Sequence, residues 1–141
     1  MLRADEGGSA ALEFIAVGVL LLVPIAYLVI ALGTVQSHAL GAEAAARFAA
    51  RTIANDSAST PGETAAAVAS QYGIDSDALD IGVSCAPAAS RCPEAGAVVT
   101  VTVRAEAELP FVPPVLGLDR IARVPIEATA AHKVSRFGGA G

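Results

Sequence analysis

Residues 14–33, FIAVGVLLLVPIAYLVIALG, form a run of 20 residues without one Asp, Glu, Lys or Arg. No other feature restricts the folds open to this chain so strongly. At about 1.5 Å rise per residue, such a run spans the roughly 30 Å hydrocarbon core of a bilayer. A core helix of this length would be an odd choice for a protein of 141 residues. Gly18 and Pro24 lie within the run, and both residue types are commoner in membrane helices than in soluble ones. Pro24 removes a backbone donor and is expected to kink the helix. A cleaved secretory signal is the main competing reading. It requires a positive n-region, an apolar stretch of about 7–15 residues and a small-x-small site soon after. Here Arg3 is offset by Asp5 and Glu6, and the triplet Ala42-Glu43-Ala44 lies well past the run. Arg3 is the only basic residue before the run and Arg47 the first after it. That slight asymmetry favours a cytoplasmic N-terminus and an outer C-terminal domain.

The remainder amounts to one small domain. The hydrophobic fraction of 54% and mean hydropathy of +0.58 owe much to alanine; aromatic residues are only 4%, with no Trp. Any soluble core must therefore be built from Val, Ile, Leu and Ala. A net charge of −5, with no basic stripe interleaved with aromatics, argues against nucleic acid as a partner. Cys85 and Cys92 both follow the apolar run, and in an extracytoplasmic domain a disulfide is their natural state.

Directly before the apolar run stands GGSAALEF, residues 7–14. A carboxylate drawn into a bilayer costs about 2.5–3.5 kcal/mol on insertion scales, so it normally has a partner. Taken alone, Glu13 reads equally well as a solvated flanking acid. The stretch Gly8-Ser9-Ala10-Ala11-Leu12-Glu13-Phe14 resembles the processing site of class III prepilin-type proteins, the Flp/Tad pilins and pseudopilins. In that family a prepilin peptidase cuts after a glycine, and a Glu-aromatic pair follows four residues later. The resemblance implies a cut between Gly8 and Ser9, with residues 1–8 as a short hydrophilic leader. It further implies that Glu13 pairs with the new N-terminal amine of a neighbouring subunit. Opposite charges attract far more strongly in a low dielectric than in water, so the pair would act as a register device.

From Thr34 to Ala54 the chain is alanine-rich and free of proline, favouring continued helix. Glu43 and Arg47 stand four apart in the supportive order. With the apolar run this predicts one helix of about 44 residues, ~66 Å long, with Gly33 and Gly41 as soft points. Ala42, Ala46, Ala50 and Ala54 form a small-xxx-small stripe. It reads either as plain alanine richness or as a face for close helix packing. Thr60-Pro61-Gly62-Glu63 predicts a capping box with proline at the first helical position, opening a second helix to about Tyr72 that Gly73 ends.

The period then switches to two. Leu79–Cys85, Val99–Leu109 and Val124–Val134 alternate apolar with polar residues, predicting three half-buried antiparallel strands. The expected fold class is α+β: a long N-terminal helix, a short second helix, and a three-stranded antiparallel sheet packed on the helices. A disulfide between Cys85 and Cys92 would close the first inter-strand loop. The second connection, PFVPPVLGLDRIA, holds Phe111, Val112, Val115, Leu116, Leu118 and Ile121. Such a cluster marks a contact with a partner, the membrane surface or the chain's own helix. The tail RFGGAG is expected to be disordered.

Chemistry is sparse. HExxH, GxSxG, Walker A and GxGxxG patterns are absent; His38 and His132 are isolated, and Glu106 and Glu108 read as a wet strand face. Nothing calls for an enzyme, a metal or a cofactor. As a whole the chain resembles the TadE-like group of Tad/Flp pilus proteins, described as minor pilins or pseudopilins. Phe14 stands where major Flp pilins usually carry tyrosine. The resemblance implies a pilin-like fold and four segments: leader 1–8, transmembrane and assembly helix 9–33, extracytoplasmic domain 34–134, tail 135–141. It also implies insertion in the cytoplasmic membrane, export into a pilus, and three kinds of partner: prepilin peptidase, the Tad machinery with other pilins, and lipid. An unprocessed membrane-anchored binding module and a secreted domain released by signal peptidase are the alternatives.

Overall fold

The computed structural model describes the backbone of residues 7–55, 60–88, 92–112, 115, 117 and 121–137, and side chains from residue 10 onward. The fold is α+β. Helix α1 (Gly7–Asn55) is followed by α2 (Pro61–Ser70), then strands β1 (Asp80–Ala86), β2 (Val98–Glu108) and β3 (Arg123–Lys133). The chain divides into two compact units, one ending at Gly33 and one beginning at Thr34.

In the first unit α1 passes through Pro24 without ending, although Pro24 cannot donate to the carbonyl one turn back. Its apolar side chains are exposed on every face, with Phe14 at 80% and Leu20 at 75%. A helix apolar all round is stable only where lipid or protein surrounds it. In length and composition it fits a membrane anchor.

The second unit is built on β2. The sheet is antiparallel in the order β1-β2-β3, with Val101 opposite Val83 on one side and Ala130 on the other. Only the central strand is covered along most of its length. Val99, Val101 and Val103 are the largest fully buried side chains, and Ala105 and Ala107 continue their row. Burial alternates strictly along β2, as a strand with one wet face requires. On β1, at the sheet edge, Ile81 and Cys85 are half-buried and Val83 remains exposed.

The inward row meets a stripe on α1. Ala42, Ala45, Ala46, Ala49, Ala50, Ile53 and Ala54 share one apolar cluster with Ala65 and Ala69 of α2, Ile74, Ile126 and Val134. Their spacing of three and four keeps them on one helical face. Small side chains let the helix lie close to the sheet, so a core without aromatic rings still packs. Among the described residues no polar or charged side chain is buried.

Two joints differ in detail from the sequence reading. Thr60 is the N-cap of α2 and Pro61 its first helical residue, yet Thr60 makes no side-chain capping bond. The capping box is therefore not formed. Thr60 and Glu63 are both exposed, so the first-turn donors are open to solvent. At the other end, the Ile74 N–H donates to the Ala69 carbonyl at 3.2 Å and the Gly73 N–H to Ser70 at 3.2 Å. With Gly73 at φ 80°, this is a Schellman closure. Helix α2 proper stops at Ser70, two residues short of Tyr72.

Gly41 is not a soft point. A Cβ there would lie 2.6 Å from the Tyr72 Cβ and 2.9 Å from its Cγ. The glycine is thus the place where α1 accepts the turn after α2, assisted by a Ser37 Oγ bond to the Tyr72 carbonyl at 3.3 Å. Gly33, by contrast, has nothing within 4 Å of a built Cβ. Gly41→Ala should lower stability by about 1–3 kcal/mol from overpacking, despite the ~1 kcal/mol alanine gains as a helix former. Gly33→Ala should not lower it. Thermal unfolding of the full chain in detergent, followed by circular dichroism, distinguishes the two.

Candidate functional site

Gly8 and Ser9 lie in the first turn of α1. Residues 9 and 13 stand four apart and so share a helical face. Glu13 and Phe14 are both exposed. No hydrogen bond or ion pair within the chain is seen for Glu13 among the described residues. The arrangement places an exposed carboxylate near the head of an apolar helix.

The Ala42, Ala46, Ala50 and Ala54 stripe is occupied within the chain, buried against α2 and the sheet. Cys85 and Cys92, seven positions apart in sequence, are joined in a disulfide with Cα atoms 5.8 Å apart. The bond ties the end of β1 to the connection leading into β2. Closing so short a loop contributes about 2–3 kcal/mol in the chain-entropy account. It does so on an edge strand that lacks a second neighbour. Replacing both cysteines by serine should cost about 2 kcal/mol in denaturant unfolding, and reductant should reproduce the loss in the unaltered protein.

Of the connection between β2 and β3, Phe111 and Val115 are exposed and Val112 is half-buried. Leu116 and Leu118 lie outside the described residues. Ile121, at its far end, is exposed at 78%. Beyond β3, Ser135, Arg136 and Phe137 are exposed and close a turn, while residues 138–141 lie outside the described residues. His132 falls on the alternation's apolar face but is exposed, because β3 there runs past its cover into a groove shared with Arg47 and Arg51.

Register places charges that sequence reading did not pair. On the wet face, Asp80, Arg104 and Glu127 are directly opposite one another on the three strands. The Arg104 Nε donates to Glu127 at 2.8 Å and its Nη1 lies 3.5 Å from Asp80. These contacts, the Glu127 hydrogen bond first, hold the guanidinium above its ordinary pKa, so it stays charged throughout the working range. Arg123 reaches Glu108 at 3.2 Å and Glu106 at 3.5 Å. The alternation shows that all these side chains share a face, but only strand register makes them partners.

At this end of the sheet an open concavity of about 960 Å³ is lined by His38, Gly73, Asp75, Asp77, Glu108 and Arg123, among others. The His38 Nδ1 is buried there without a hydrogen-bond partner. Among the described residues no group of three or more His, Cys, Asp or Glu is placed to hold a metal ion. Comparison with family models, curated proteins and solved structures finds no match to the chain.

Proposed function

We propose that the protein is a minor pilin or pseudopilin of a Tad/Flp-type pilus. It is cut after Gly8 by a prepilin peptidase and acts in assembly, priming or adhesion of the filament. The observation that carries this reading is the sequence Gly8-Ser9-Ala10-Ala11-Leu12-Glu13-Phe14 at the mouth of a helix whose apolar side chains are exposed on all sides. Before assembly the helix sits in the cytoplasmic membrane as a single pass, N-terminus inside. Residues 34–134 face the outside, where Cys85 and Cys92 are oxidised. In the filament, the Glu13 carboxylate pairs with the Ser9 amine of a neighbour, which offsets the cost of holding either charge away from water.

The geometry of α1 weighs against release by signal peptidase. A cut after Ala44 would remove Gly41 and Ala42, which are buried in the domain. The unprocessed anchor remains the contrasting outcome. Mass spectrometry of the N-terminus decides: a chain starting at Ser9 supports the pilin reading, an intact Met1 supports an anchored binding module, and a start near Leu40 or Ala45 a secreted domain.

Gly8→Ala should abolish processing and leave the leader attached, seen as an unshifted mass. Glu13→Ala should be processed normally but fail to enter sheared filaments. Normal incorporation of Glu13→Ala would rule out the pairing. Both residues lie in the first unit and the apolar cluster belongs to the second, so both variants should keep the unfolding midpoint of the parent.

A further inference from the structure

We propose that the free edge of β3 takes up an extended acidic segment of a partner protein as a fourth strand, its carboxylates seated in the groove between β3 and α1.

Every observation behind this lies within the second unit, residues 34–141. Strand β3 has a neighbour on one side only. The sheet order is β1-β2-β3, and all eleven residues of β3 pair with β2. The N–H and C=O groups of its other side form an open template for a further strand. Among the described residues no backbone bond is made to that side. The bonds just past its end, Gly96 N–H to the Val134 carbonyl and Val134 N–H to the Ala97 carbonyl, continue the pairing toward β2. Pro125 has no N–H to offer, so the usable edge runs from Ile126 to Lys133, enough for a strand of ordinary length.

This edge opens onto a groove of about 490 Å³. Glu43, Arg47, Ala50 and Arg51 of α1 form one wall and residues 129–132 of β3 the other. Ala50 is buried and Ala130 half-buried, so small apolar side chains leave room beside the strand.

Charge selects the occupant. The chain as a whole carries −5, yet this groove is not acidic. Glu43 is already paired with Arg47. Among the described residues Arg51, His132 and Lys133 make no ion pair, and all three are exposed. A strand added to β3 sends every second side chain toward α1, where Glu or Asp meets the Arg51 guanidinium and the His132 ring. The alternatives fit worse. Two copies of β3 paired antiparallel in full register would set Arg123 against Lys133 at both ends, and like charges directly opposite disfavour pairing. The other sheet edge, β1, has seven residues against eleven, begins with Asp80 and offers an acidic strand no basic side chain.

Nothing in the first unit enters, so the pilin reading can fail without touching this one. Full-length protein in detergent micelles is titrated against a fluorescein-labelled peptide of about six residues in which Glu alternates with Val, and binding is read by anisotropy. The Glu peptide should bind, less tightly as salt rises, and its Lys-for-Glu counterpart should not. Arg51→Glu should weaken binding about five- to tenfold, whereas Arg51→Lys should retain most of it. Both variants should keep the parent's unfolding midpoint, since Arg51 is exposed. Backbone N-methylation of the peptide separates strand addition from charge alone. Methylating either the Glu amides or the Val amides should cost more than about tenfold, and the other set little, because only one set faces β3. If both sets tolerate methylation, the contact is ionic without strand addition and the proposal fails. Equal binding of the Glu and Lys peptides, or no binding of either, overturns it as well. So does a dimer in sedimentation that Arg51→Glu disperses, which would make a second copy the occupant.

Discussion

The second unit depends on the close approach of an alanine face of α1 to the valine row of β2. A core this poor in aromatics has few ways to exclude water. Large side chains on both surfaces would hold helix and sheet apart, whereas alanine against valine brings the backbones together. Each fully buried valine then contributes about 1.5–3 kcal/mol relative to exposure. The same requirement explains Gly41, where Tyr72 leaves no space for a Cβ. It also explains the value of the disulfide, which supports an edge strand that the helices cover only in part.

Charge is sorted around that core without entering it. The wet face of the sheet carries Asp80, Arg104 and Glu127 in one cross-strand row, and the hydroxyls of Thr102 and Thr129 meet at 3.3 Å in the next. Exposed pairs of this kind stabilise weakly, but they pin register, because a one-residue slip would turn every charge toward the alanines. The carboxylates collect around the concavity beside His38, and the apolar loop springs from the same end.

Function, as proposed, is concentrated in the first unit. Among the described residues the helix of that unit exposes its apolar side chains on every face. In that proposal Gly8, Ser9, Glu13 and Phe14 give the helix its chemistry, with Glu13 exposed and unpaired among the described residues.

Local signals in the sequence were strong wherever one periodic rule acted alone. The uncharged run of residues 14–33, the alternation of β2 and the helical spacing of the alanines each specify an element, because burial on one face or on all faces leaves a periodic mark. The GGSAALEF motif is likewise a linear feature and stands in the sequence complete. What sequence left open was decided by contacts between distant segments. The alanine stripe had two readings, and only the docked sheet shows it buried within the chain. Gly41 looked like a soft point because its reason for being glycine, Tyr72, is 31 residues away. Thr60 carried a capping signature, but an exposed first turn can be served by water. His132 kept its place in the alternation yet lies beyond the cover of the helices. The Asp80–Arg104–Glu127 row needed the register of three strands, which no single strand encodes. By itself, then, the sequence determined the elements and their buried faces, since each follows from neighbours along the chain. Tertiary structure alone decided which small residues are packing contacts, which charges are partners, and which end of the sheet holds the apolar loop, since these depend on how separate segments meet.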